Sequence, residues 1–85
     1  MPKEPELQTR RVYEFIRDYI RAQRRPPTLR EIGEGVFMAH TSALRHLAHL
    51  EGLGWIEREY NQPRSIRLGE QAPDYHALTE DEAQP

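Results

Sequence analysis

Apolar positions recur at helical spacing in the first third of the chain. Val12, Phe15, Ile16, Tyr19 and Ile20 fall at i, i+3, i+4, i+7 and i+8, the stripe of an amphipathic helix, and predict one over residues 7–24. The pattern breaks at "RRPPTLREI", residues 24–32. Proline cannot continue a helix interior, and it drives the residue before it towards extended backbone. Thr28 and Glu31 then stand at the spacing of a capping box, where each side chain satisfies a backbone N–H at a new helix start. A second helix is therefore expected from Thr28 to Val36, with Ile32 and Val36 turned inward. Gly33 and Gly35 weaken it by roughly 1 kcal/mol each relative to alanine, so it depends on packing against its neighbours.

After the connection "FMAH", a third helix is predicted from His40 or Thr41 to Glu51, with Thr41 a better cap than Ala39. Ala43, Leu47 and Leu50 line one side, Leu44 stands at its margin, and Gly52 and Gly54 end it. The period then changes. "WIEREY" (55–60) reads as a strand, "NQPR" as a turn and "SIRL" (65–68) as a returning strand, with Pro63 in the turn where its missing N–H costs nothing. Phe15, Ile16, Ile20, Ile32, Leu47, Leu50 and Ile56 are the expected core. Three helices followed by a hairpin make a mainly α winged helix-turn-helix with a two-stranded wing, here residues 1–68. In such a domain the third helix enters the major groove of DNA and the second crosses the backbone above it. The double proline turns the chain so that the second helix can hold the third at that angle. Residues 69–85 have little periodicity and are expected to be a mostly disordered tail.

Composition narrows this picture. Eighty-five residues allow one small domain, and the absence of cysteine removes disulfides and thiolate metal sites, in keeping with a reducing cytoplasm. No apolar run could span a bilayer, and "MPKEPEL" has no hydrophobic signal core. The net charge of −2 hides an asymmetry. All twelve basic residues and nine of the fourteen acids lie in residues 1–68, a balance of +3; Glu70, Asp74, Glu80, Asp81 and Glu82 lie beyond with no Lys or Arg. The tail could thus lie against the basic body as a weak mimic of DNA. Eleven of the twelve basic residues are arginine, the better group for phosphate and guanine.

Chemistry follows from the helical wheel of residues 40–51. Opposite Ala43, Leu47 and Leu50 stand Thr41, Ser42, Arg45 and His49, the candidate base-reading face. Arg45 is the leading candidate, because a bidentate bond to guanine O6 and N7 contributes roughly 1–3 kcal/mol of discrimination. Thr41 and Ser42 sit near a helix N-terminus, which favours anions. Candidate backbone contacts are Thr28 and His40 near the helix starts and Arg58, Asn61, Gln62 and Arg64 on the wing. His46 and His49 have an i, i+3 spacing, but nothing completes a coordination shell, so no metal is expected and His46 is placed at the edge of the core. The six Ser and Thr residues lack any context of activation, so no enzyme and no cofactor are expected.

"RRVYEFIRDYI", "PPTLREI", "LRHLAHLEGLGWIE" and "RSIRL" together resemble the N-terminal DNA-binding domain of the LexA repressor family over residues 7–68. That family shows Pro-Pro-Thr before its second helix, His-Leu within its third, here His46-Leu47, and Gly-x-Ile leading into the wing. The resemblance implies the winged helix-turn-helix fold and repression at palindromic operators; the family dimerises through its second domain, so a homodimer on two half-sites and a monomer on one both stay open. LexA-type repressors also carry a second domain that cleaves the chain at an Ala-Gly bond, using a serine with a lysine as base. This chain has no Ala-Gly dipeptide and its one lysine is Lys3, so self-cleavage is not implied. In the reading helix, family members of the enterobacterial type present a small polar residue, Asn and two adjacent glutamates. Here Ala39, Thr41 and Leu44-Arg45 stand at those places, and the preceding turn is one residue shorter, implying a different operator.

Two other readings stay open at this level. A winged-helix protein-interaction module fits a body of only +3, because many DNA binders carry more charge. A DNA-binding component of a mobile element or defence system fits the same residues. The polar reading face separates the first of these from DNA binding, since an interaction module would expose an apolar patch there.

Overall fold

The computed structural model describes residues 5–76. Its elements are α1 (Leu7–Gln23), α2 (Leu29–Val36), α3 (His40–Leu53), β1 (Ile56–Glu57) and β2 (Arg67–Leu68). The three helices pack on one another, and the antiparallel strands pair Ile56 with Leu68 and Glu57 with Arg67 at the end of α3. The winged helix-turn-helix expectation is met. No helix of the described residues is long and apolar enough to cross a membrane.

The corner forms as the sequence predicts. Arg24 closes α1 in the left-handed region, its N–H bonded to the carbonyl of Ile20. Thr28 is the N-cap of α2, one residue before its first turn. Its Oγ1 accepts from Glu31 N at 3.1 Å, and Glu31 Oε1 accepts from Thr28 N at 2.8 Å. α3 differs at its start: the cap is Ala39, with no side-chain bond, and Thr41 lies inside the first turn. The connection of Phe37, Met38 and Ala39 is too short to leave Thr41 outside the helix. The other end of α3 is closed by Gly54 at φ 77°, where the left-handed turn suits glycine. Gly69 passes so close to the carbonyl of Gly54 that a Cβ there would collide with it.

The core is rotated relative to the expected stripe. Thr9, Val12, Tyr13 and Ile16 are the buried residues of α1, whereas Phe15 and Ile20 are only partly buried. Tyr13 was not in the apolar stripe, yet it is fully buried, with its ring edge-on to Trp55 at 5.0 Å. Both faces beside the stripe are covered, by α3 on one side and by the chain after the wing on the other. Ile32, Leu47, Leu50 and Ile56 lie in the core as expected, joined by Val36, Ala43, Ile66 and Leu68.

Residues 69–76 correct the expectation of a tail beginning at Gly69. Ala72 is buried, Tyr75 packs against the core, and Asp74 joins Tyr13 and Arg17. Tyr13 donates to Asp74 Oδ2 at 2.8 Å and accepts from Asp74 N at 3.2 Å. Burial raises the pKa of the Tyr13 hydroxyl, and the neighbouring carboxylate adds to the effect. The rest of the expected tail, residues 77–85, lies outside the described residues.

The wing is shorter than the segments 55–60 and 65–68 suggested. Beyond Glu57, Arg58 leaves the ladder to pair with Glu51 at 3.2 Å, and Arg64 adopts a left-handed backbone at φ 55°. Glu59 and Ser65 close the loop between them: Glu59 N donates to Ser65 Oγ at 3.0 Å, and that hydroxyl donates to Glu59 O at 2.9 Å.

Candidate nucleic-acid interface

α3 presents two faces of different chemistry. Ala43, His46, Leu47 and Leu50 are buried. Thr41, Arg45 and His49 are exposed along one ridge, with His40 exposed before them and Ser42 half-buried beside them. The single acid of α3, Glu51, lies at its C-terminal end, where Arg58 Nε at 3.2 Å and Tyr60 Oη at 3.1 Å donate to it. The ridge therefore carries cation and hydroxyl groups without a carboxylate among them. With no side-chain cap at Ala39, the first N–H groups of α3 keep their donor capacity.

His46 is held by the core. Its Nδ1 lies 2.7 Å from Thr9 Oγ1, a buried hydrogen bond that ties α3 to α1. The bond stands next to Arg45 in the chain, on the buried side of the helix. Among the described residues, no group of three or more His, Cys, Asp or Glu is arranged to hold a metal ion.

The wing residues divide. Asn61 and Gln62 are exposed at the turn. Arg58 is folded back, its side chain 13% exposed and its guanidinium 4.5 Å from the centre of the Tyr60 ring. Arg64, expected to reach outward, turns inward instead. Its two terminal nitrogens donate to Glu31 Oε1 at 3.0 Å and Oε2 at 2.9 Å, and one also donates to Pro26 O at 3.0 Å. The physical reason is the free carboxylate of the capping box, which offers a planar two-oxygen partner to a planar fork. The Glu31 carboxyl is pushed down to about 2, first by Arg64 and then by the Thr28 N–H. Thr28, expected both as the cap of α2 and as a candidate backbone contact, forms the cap within this cluster.

Sequence reasoning missed this link between the proline corner and the wing, because Glu31 and Arg64 are 33 residues apart and each has a local explanation. It also missed the surroundings of Arg45. Gln8 and Arg11 on α1 line a recess together with Ser42 and Arg45, and Arg11 donates to Gln8 at 3.1 Å. The only available signal was the exposed register of Gln8 and Arg11 on the first helix.

A three-helix domain whose second helix is capped at a proline corner, whose third exposes a polar cationic ridge, and whose hairpin is anchored beside it defines a winged helix-turn-helix nucleic-acid-binding class. Within that class, residues 6–65 match the model of the LexA DNA binding domain. The chain belongs to this family. It is 45% identical over 58 residues to the LexA repressor of Listeria welshimeri, covering 67% of this chain and 28% of the relative. Similarity to the LexA repressor of Exiguobacterium sp. is 39% over 67 residues, covering 78% and 32% respectively. For Geobacillus thermodenitrificans the LexA repressor is 41% identical over 58 residues, again 67% of this chain and 28% of the relative. The chain thus spans roughly a third or less of the length of these relatives.

Proposed function

We propose that this domain binds duplex DNA sequence-specifically and represses transcription from the sites it occupies. The observation that carries the reading is the exposed ridge of Thr41, Arg45 and His49 on a helix whose opposite side is locked into the core by Ala43, Leu47 and Leu50. With α3 in the major groove, Arg45 donates to guanine O6 and N7, while Thr41 and Ser42 bond base edges or phosphates. His40 and His49 supply further donors at the two ends of the ridge. Asn61 and Gln62 meet the backbone from the wing. Arg58, Arg64 and Thr28 act by position: the first holds the wing to α3, and the other two hold it to the proline corner. Repression in this reading is steric, needs no chemistry from the domain, and takes place in the cytoplasm.

Two copies on a palindromic operator would place their α3 helices about one helical turn apart, or a multiple of it. α3 and the wing by themselves require only one half-site.

The test is selection of bound duplexes from a random pool, followed by comparison of wild type with Arg45→Ala. The variant should lose about 1–3 kcal/mol at one base position and show relaxed preference there. If Arg45→Ala binds the selected and scrambled duplexes as wild type does, α3 is not the reader and the protein-interaction reading takes its place.

A further inference from the structure

Phe37 is the most exposed large apolar side chain of the described residues, 91% accessible, and its backbone sits at φ 58°. The exposed ring gains nothing on folding, and the left-handed backbone costs. A bulky residue in the left-handed region is an outlier that glycine or asparagine would relieve. Neither is compensated inside the domain: the N–H of Phe37 caps α2 on Gly33 O, but the ring contributes nothing to that bond. The shortened turn puts a phenylalanine at the cap where the geometry favours glycine.

The surroundings of the ring show what it could meet. Phe37 shares one recess with Arg11, Ser42 and Arg45. On its other side it shares a second with Leu29, Arg30, Glu34, Met38 and His40. An apolar ring beside Ser42 and Arg45 at the entrance to a reading helix matches one feature of the major groove, the 5-methyl group of thymine, which is read by apolar contact. Leu7 and Tyr60, the other exposed large hydrophobics, line neither recess, so the apolar surface here is the ring with half-buried Leu29 and Met38, far smaller than a stable protein interface needs.

We propose that Phe37 is a specificity-determining residue that contacts a thymine methyl beside the base pair read by Arg45. This rests on the DNA-binding reading above and deepens it: Arg45 supplies the hydrogen-bonded position and Phe37 an adjacent apolar one. The left-handed turn is what aims the ring at the groove.

The experiment uses the duplex selected by the wild-type chain, with each thymine replaced singly by deoxyuridine, and the wild type, Phe37→Gly and Phe37→Asn proteins. Wild type should lose roughly threefold to fivefold in affinity at one thymine next to the Arg45 position, the worth of removing one buried methyl from contact. Both variants should bind the thymine and deoxyuridine duplexes equally at that position, while keeping the preference at the Arg45 position. Their thermal midpoints should equal or exceed that of wild type, because the left-handed turn no longer holds a bulky residue. Retention of the thymine preference by Phe37→Gly and Phe37→Asn overturns the proposal, as does a wild type indifferent to every deoxyuridine substitution. So does an unchanged thymine pattern together with a drop in solution mass of the free variant, which would assign the ring to a contact between copies. Failure of wild type to select any duplex would instead sink the DNA-binding reading itself, an outcome separate from these.

Discussion

Tyr13→Phe removes one oxygen atom from the seam between α1 and the segment that follows the wing. The ring remains, so its edge-on contact with Trp55 at 5.0 Å is kept and only the space of a hydroxyl opens. Two hydrogen bonds disappear, the donation to Asp74 Oδ2 at 2.8 Å and the acceptance from Asp74 N at 3.2 Å. A hydrogen bond to a charged group contributes about 1.5–3 kcal/mol, a neutral one about 0.5–1.5 kcal/mol. The full sum does not apply, because the Asp74 side chain is 26% exposed and keeps Arg17 Nη1 at 3.4 Å, leaving water access to the carboxylate. A net loss of about 1–2 kcal/mol follows, which for a domain of this size lowers the thermal midpoint by about 5–15 °C. Circular dichroism melting at neutral pH measures it directly. Repeating the melts in acid adds a second check. Burial by itself would raise the Asp74 carboxyl, but the bonds from Tyr13 and Arg17 outweigh it and hold the group below the usual carboxylate range. A carboxyl depressed on folding contributes stability above its unfolded value of about 3.9, and that stability is lost as pH falls through the folded value. The two proteins should therefore converge in acid. If Tyr13→Phe melts with wild type at neutral pH, the segment 69–76 is not part of the cooperative unit and the reasoning fails.

Glu31 gives a second acid-dependent increment. Its carboxyl stands at about 2, so its contribution is complete above the unfolded value, about 4.3 for Glu, and is lost as pH falls towards 2. Glu31→Gln should lower the melting temperature at neutral pH and flatten the acid limb of the stability profile; an unaltered profile would show that the corner-to-wing clamp does not hold in solution. Arg64→Ala should produce the same acid phenotype and should weaken all duplexes similarly through a loosened wing, which salt-dependent binding isotherms would report. Thr9→Val leaves a buried nitrogen of His46 without its partner at 2.7 Å, and should cost about 1–3 kcal/mol by urea unfolding; no change in midpoint would show that α3 is oriented by packing alone.

The local punctuation of this chain was legible in its sequence. Proline chemistry and the Thr28–Glu31 spacing end one helix and cap the next whatever surrounds them, and the capping box appears with both its bonds. The polar side of α3 was legible for the same reason: Ala43, Leu47 and Leu50 leave Thr41, Arg45 and His49 only one direction to face. Tertiary structure decided what depends on the partner of each group. Tyr13 is amphipathic, and only the approach of Asp74 from 61 positions away makes its burial favourable. Arg64 reads equally as a phosphate contact or an ion pair until Glu31 is brought to within 2.9 Å. Phe37 carries the sharpest case, since an apolar residue predicts burial. The short turn between α2 and α3 overrides that preference, because Met38 takes the inward position and the left-handed cap turns the preceding ring to solvent. Periodicity and capping act through neighbours in the chain and survive without a fold, whereas the destination of a long polar or aromatic side chain is set by groups that only folding brings near.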